Sequence, residues 1–178
     1  MRHEIRLSGS GGQGLITAGI ILARAAALYD GKNAVQSQSY GPEARGGASK
    51  AEVIISDAEI NYPKVQAPDI LIALTQEALN KYIKDTRSDA VVIVDSLLVK
   101  TPPQGAFRFF SFPILQTAAD SVGSVMTANV LTLGVLNRIC PLVSDEALVK
   151  AVTSVFSPKT ADMNIKALKE GAGLAAGK

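Results

Sequence analysis

Nine residues near the start of the chain, Leu7-Ser8-Gly9-Ser10-Gly11-Gly12-Gln13-Gly14-Leu15, constrain the fold more than any other stretch. Ahead of them Glu4-Ile5-Arg6-Leu7 alternates polar and apolar residues, the period of a short strand. Behind them Leu15 to Leu28 is apolar and alanine-rich, which favours a helix. Strand, glycine turn and helix together open a nucleotide-binding type of α/β unit. Gly9, Gly11 and Gly14 hold the G-x-G-x-x-G spacing, with Gly12 as a further glycine and Gln13 inside the turn. Without Cβ atoms, such a turn lets another group approach the backbone and the helix N-terminus, where N–H groups point outward. The same spacing also serves simply to seat a first helix on its strand, and the residues alone leave both roles open.

Further along, Gly31 ends the helical pattern and Asn33-Ala34-Val35-Gln36 reads as a second strand. Residues 37–47 have neither period, and their Gly-Pro and Gly-Gly pairs predict an ordered turn or loop. Ala51 to Ser56 reads as a strand. Asp69 to Leu74 and Ala90 to Asp95 are continuous apolar runs, the pattern of parallel strands covered on both faces. Between them Thr75 caps a helix, with Glu77 in its first turn, that reaches about Lys84. Phe107 to Phe112 offers one more strand, and Pro113 starts a helix through Ala119. The last third reads as three helices: Thr127 to Ile139, one capped by Ser144, and one between Ser157-Pro158 and Gly171. The alternation predicts an α/β fold: a single Rossmann-like domain over residues 1–178, an open, mostly parallel sheet with helices on both faces.

Composition narrows the chemistry. A net charge of +2 gives no electrostatic grip on nucleic acid. The longest apolar run, Leu15 to Leu28, contains Arg24 and falls short of the roughly 20 residues of a membrane span. With no basic-then-apolar leader, the expected location is the cytoplasm. Cys140 and His3 are single, too few for an iron–sulfur cluster or a His/Cys zinc site, so no metal ligand set is expected here. No Ser-His-Asp or Cys-His constellation can be assembled either. Asp95 closes a strand at the edge where open α/β sheets bind ligands, a position that also suits a capping aspartate. The second strand lacks the acidic residue a dinucleotide ribose needs, and no Lys-Ser or Lys-Thr follows the glycines as in a phosphate-binding P-loop.

With apolar residues at 47% and charged ones at 19%, two helices stand out. Thr17 to Leu28 carries only Arg24, and Val130 to Val135 carries no charge. A helix without a polar stripe is buried on more than one side, which predicts an obligate interface with other protein. Alanine and glycine, tolerant of either environment, supply the alternative account. The segment Tyr40-Gly41-Pro42-Glu43-Ala44-Arg45-Gly46-Gly47 is the second candidate site. Pro42 locks φ, and Gly46 and Gly47 free the backbone around Glu43 and Arg45. Such a loop can aim a guanidinium fork at a carboxylate, a phosphate or a partner chain, or it is a solvated turn.

The glycine turn, this octapeptide and Asn129 ahead of an apolar helix together resemble the gamma subunit of 2-oxoacid:ferredoxin oxidoreductases over almost the whole chain. Gln-Ser-Gln-Ser before Tyr40 and Ile60-Asn61-Tyr62-Pro63 after the third strand are most similar to the 2-oxoglutarate branch. The resemblance implies a complex that oxidatively decarboxylates a 2-oxoacid, reduces ferredoxin and transfers the acyl group to coenzyme A. It implies alpha, beta and ferredoxin-like delta partner subunits that carry thiamine diphosphate, Mg and the iron–sulfur clusters, none of them on this chain. Gly9, Gly11, Gly12, Gln13 and Gly14 then form a turn on the coenzyme A side or at an interface. Tyr40, Pro42, Glu43, Arg45, Gly46, Gly47 and Asn129 form an interface or coenzyme A-side loop, and no residue is catalytic. A free-standing nucleotide- or NAD-binding protein that uses the glycine turn itself is the competing reading.

Overall fold

The computed structural model describes residues 1–39 and 47–178. Strands β1 (Arg2–Ser10), β2 (Asn33–Ser39), β3 (Ala48–Ser56), β4 (Ile70–Ala73), β5 (Val91–Asp95) and β6 (Arg108–Phe112) form one sheet in the order β2-β3-β1-β4-β5-β6. β1, β4, β5 and β6 pair in parallel, while β3 runs antiparallel to both of its neighbours. The sheet is therefore mostly parallel, with one reversed strand between β1 and β2. Every residue of β4 and β5 is buried, as their unbroken apolar runs require.

Helices α1 (Leu15–Arg24), α3 (Ile114–Thr117), α4 (Ala128–Ile139), α5 (Asp145–Val155) and α6 (Pro158–Leu174) share the larger apolar core on one sheet face. Helix α2 (Gln76–Tyr82) covers the other face with a smaller core around Leu71, Val92, Val94 and Leu79. The expected caps form: Thr75 Oγ1 accepts from Ala78 N at 3.2 Å, and Ser144 Oγ accepts from Ala147 N at 3.1 Å. The first helix is α-helical only to Arg24 and continues to Tyr29 as a wider π-helical turn, so it ends where expected but in a different form. β1, β2 and β3 all extend beyond their expected bounds. Backbone pairing carries them through Ser8, Gly9, Ser10, Ser39 and Ser49, which have little strand preference of their own.

The structure corrects the reason given for one chargeless helix. Val130, Leu131, Leu133 and Val135 are buried by this chain itself. α6 lies directly on α4: a Cβ at Gly134 would sit 2.1 Å from Leu168 O, and one at Gly171 would sit 2.0 Å from Leu131 O. The missing polar stripe of α4 thus reflects a helix sandwiched inside the chain, not a surface awaiting a partner. Leu22 on α1 faces the core, and Leu28 in the π-helical turn that follows it faces outward.

Candidate functional site

The glycine turn and Asn129 come together just beyond the end of β1. Ser10, the last residue of β1, pairs with Ala48, the first of β3, and Ser49 Oγ donates to Ser10 O at 3.4 Å. The glycine turn therefore starts beside the point where the chain returns from the octapeptide. Tyr40, Pro42, Glu43, Arg45 and Gly46 lie outside the described residues; Gly47, half-buried, is the last of that motif and leads into β3.

Within the turn the two polar side chains point inward. Gln13 Oε1 accepts from Ser10 N at 2.8 Å, crossing the turn, and a Cβ at Gly9 would collide with that oxygen at 2.1 Å. Asn129, in the first turn of α4 and 5% exposed, donates from Nδ2 to Gly14 O at 3.1 Å, while its Oδ1 accepts from Val130 N. Gly14 has φ +72°, and a Cβ there would sit 2.6 Å from Asn129 Nδ2. Gly9 and Gly14 are thus fixed by contacts within the chain. A Cβ on Gly11 or Gly12 would meet nothing, so this half of the turn is open to another molecule.

A cleft of about 380 Å³ opens beside Gly12, Gln13 and Gly14. α1 and α4 both begin there; the start of α1 at Gly14 has no side-chain cap, while in the first turn of α4 Asn129 Oδ1 takes up Val130 N. Its other wall is partly apolar, with Leu115, Val125, Met126, Phe156 and Met163. Among the described residues no charged side chain lines it. Any anion in this cleft would be met by backbone N–H groups and the positive ends of two helices. The sequence reading missed the wall from α6, although Thr160, Met163 and Asn164 recur at the spacing of one helix face. Val125 and Met126, two apolar residues just ahead of a helix start, were a second available signal.

Asp95 has the capping role. Fully buried, it accepts from Leu97 N and Leu98 N on Oδ1 and from Leu115 N on Oδ2, all within 3.0 Å. That ties the end of β5 to the start of α3 and leaves no oxygen poised for acid–base work. Cys140 is half-buried, and burial pushes its thiol above the ordinary range, away from nucleophile behaviour. One cysteine cannot ligate an iron–sulfur cluster, and the described residues hold no group of three or more His, Cys, Asp or Glu placed for a metal. β2 has no acidic residue for a dinucleotide ribose.

A family model of pyruvate ferredoxin/flavodoxin oxidoreductases matches residues 4–174. The 2-oxoglutarate synthase subunit KorC of Methanocaldococcus jannaschii is 49% identical over 96% of this chain and 92% of its own length. The subunit of the same name from Methanothermobacter marburgensis is 46% identical, over 96% of this chain and 95% of its own length. Among solved structures, the gamma subunit of a keto/oxoacid ferredoxin oxidoreductase from Geobacter sulfurreducens PCA is 48% identical. It superposes with a TM-score of 0.92 over 98% of this chain and 97% of that one.

Proposed function

The chain belongs to the pyruvate ferredoxin/flavodoxin oxidoreductase family, and on that premise we propose that it is the gamma subunit of a 2-oxoglutarate:ferredoxin oxidoreductase. The observation that carries this reading is the near-full-length identity of 46–49% to 2-oxoglutarate synthase subunits. The complex converts 2-oxoglutarate, coenzyme A and oxidised ferredoxin to the acyl-coenzyme A, carbon dioxide and reduced ferredoxin in the cytoplasm. Residues 1–178 act as one domain. Alpha, beta and ferredoxin-like delta subunits complete the assembly. The donor set of this chain does not fit an iron–sulfur cluster, so the clusters, with thiamine diphosphate and Mg, are assigned to those partners.

For this chain we infer a coenzyme A-facing role at the glycine turn and cleft. The open Gly11–Gly12 half and the uncapped start of α1 favour a diphosphate, and the apolar wall suits the uncharged arm of the same molecule. The octapeptide rejoins the described chain at Gly47, next to Ala48, which pairs with Ser10 at that edge. A free-standing NAD-binding role has neither a ribose-binding acid on β2 nor support from the relatives.

Purification of the chain alone and with the products of its neighbouring reading frames tests the proposal. Coenzyme A-dependent reduction of ferredoxin by 2-oxoglutarate is expected only from the co-purified complex. Omitting this chain from the co-expression should abolish it. A complex that turns over normally without this chain would end the proposal.

A further inference from the structure

Tyr82 closes α2 on the thinly covered face of the sheet, and it is buried. Its hydroxyl donates to Ala48 O at 3.1 Å. Ala48 starts β3 where the octapeptide rejoins the sheet, and it pairs with Ser10 at the mouth of the glycine turn. The ring of Tyr82 lies 5.4 Å from the Arg6 guanidinium carbon and 5.9 Å from Lys50 Nζ. Both cations converge on Glu52: Arg6 Nε and Lys50 Nζ reach the same carboxylate oxygen at 2.8 and 2.9 Å. One ring is therefore gripped by cations from β1 and β3 while its hydroxyl holds the first carbonyl of β3.

This arrangement is costly for a site that only fills space. Arg6 is 4% exposed, and its Nη1 is buried with no hydrogen-bond partner. A buried charge is often replaceable by apolar packing at no loss of stability, so packing alone does not account for the cluster. We propose that Tyr82 is a positioning residue: through Ala48 O it fixes the returning end of the octapeptide, Gly47–Ala48, against the glycine turn. The Arg6–Glu52–Lys50 cluster holds its ring in place for that task. The inference rests on the reading that the octapeptide works at the coenzyme A-facing edge.

The test uses the complex purified with its partner subunits. Tyr82→Phe removes only the hydroxyl. Thr86→Val is its comparator, because Thr86 Oγ1 donates to Tyr82 O at the same helix end without touching β3. Tyr82→Phe should speed amide exchange over residues 47–50 and raise the KM for coenzyme A. Each effect should be roughly threefold to tenfold, the equilibrium worth of one hydrogen bond. kcat at saturating coenzyme A should stay within about twofold, since the bond holds Gly47–Ala48 and takes no part in chemistry. Thr86→Val should leave both readouts unchanged at a comparable loss of melting temperature. Equal effects from the two variants, or wild-type exchange and KM in Tyr82→Phe, would overturn the assignment. Arg45→Lys in the same complex separates the two levels. If it raises the KM while Tyr82→Phe does not, the inference alone fails. If it leaves the KM and assembly unchanged, the underlying reading of the loop fails and takes the inference with it.

Discussion

A methyl group added to Gly14 would sit 2.6 Å from the amide nitrogen of Asn129, on a backbone with φ +72°. Both the contact and the left-handed conformation oppose any side chain there. Gly14→Ala should cost about 1–3 kcal/mol, read as a lower urea midpoint with an unchanged slope. Gly11 is the contrast, because nothing lies within 4 Å of its added Cβ and its φ is not positive. Gly11→Ala should leave the midpoint unchanged or raise it slightly, while raising the KM for coenzyme A or impairing assembly. Equal stability losses at the two positions would show that the turn is built differently. The glycine spacing and Asn129 were legible in the sequence. What the sequence could not show is that Gln13 and Asn129 spend their polar groups on Ser10 N and Gly14 O. The bond to Gly14 depends on where α4 lands, more than a hundred residues later, and no local pattern encodes that.

Helices and strands were read correctly wherever their period was strong, as in β4, β5 and the Ser144-capped α5. Strand direction was not legible. β3 reads locally like any other strand, and only its pairing between β1 and β2 makes it antiparallel. The chargeless stretch Val130–Val135 was legible as a doubly buried helix, but its cover was assigned to a partner because α6 looks amphipathic and ordinary in isolation. The decisive residues are Gly134 and Gly171, which let two helix backbones touch. Gly134→Ala should push α6 off α4 and cost about 1–3 kcal/mol, or more since the obstructing atoms are backbone. For a chain of this size that is roughly 2–4 °C of melting temperature per kcal/mol. Calorimetry on the complex checks it, and an unshifted melt would mean the two helices separate freely.

At the scale of the molecule, the excess of apolar residues needs an outlet. No helix among the described residues is long and apolar enough to cross a membrane. Much of the excess goes into α4, which α6 covers, and into the fully buried β4 and β5, and some of the rest is on the surface. Leu28 is 64% exposed at the far end of the α1 segment, away from the glycine turn, whereas Met126 is 78% exposed at the cleft mouth with Val125 and Met163 nearby. If the proposed function holds, the three exposed apolar side chains grouped beside the glycine turn are expected to meet another subunit, whereas Leu28 and its neighbour Tyr29 form a smaller exposed pair at the other end. Met126→Glu should leave the chain folded, since the side chain already stands in water. In the complex the added carboxylate would be desolvated without a partner, a cost of several kcal/mol that should dissociate the assembly or strip its coenzyme A dependence. Leu28→Glu adds the same charge to an exposed site at the opposite end and should leave both intact. Native mass spectrometry of the co-purified complexes, with ferredoxin reduction measured alongside, distinguishes them. Intact, fully active Met126→Glu complexes would show that the cleft mouth faces solvent, and disruption by Leu28→Glu alone would move the contact surface to the other end of α1.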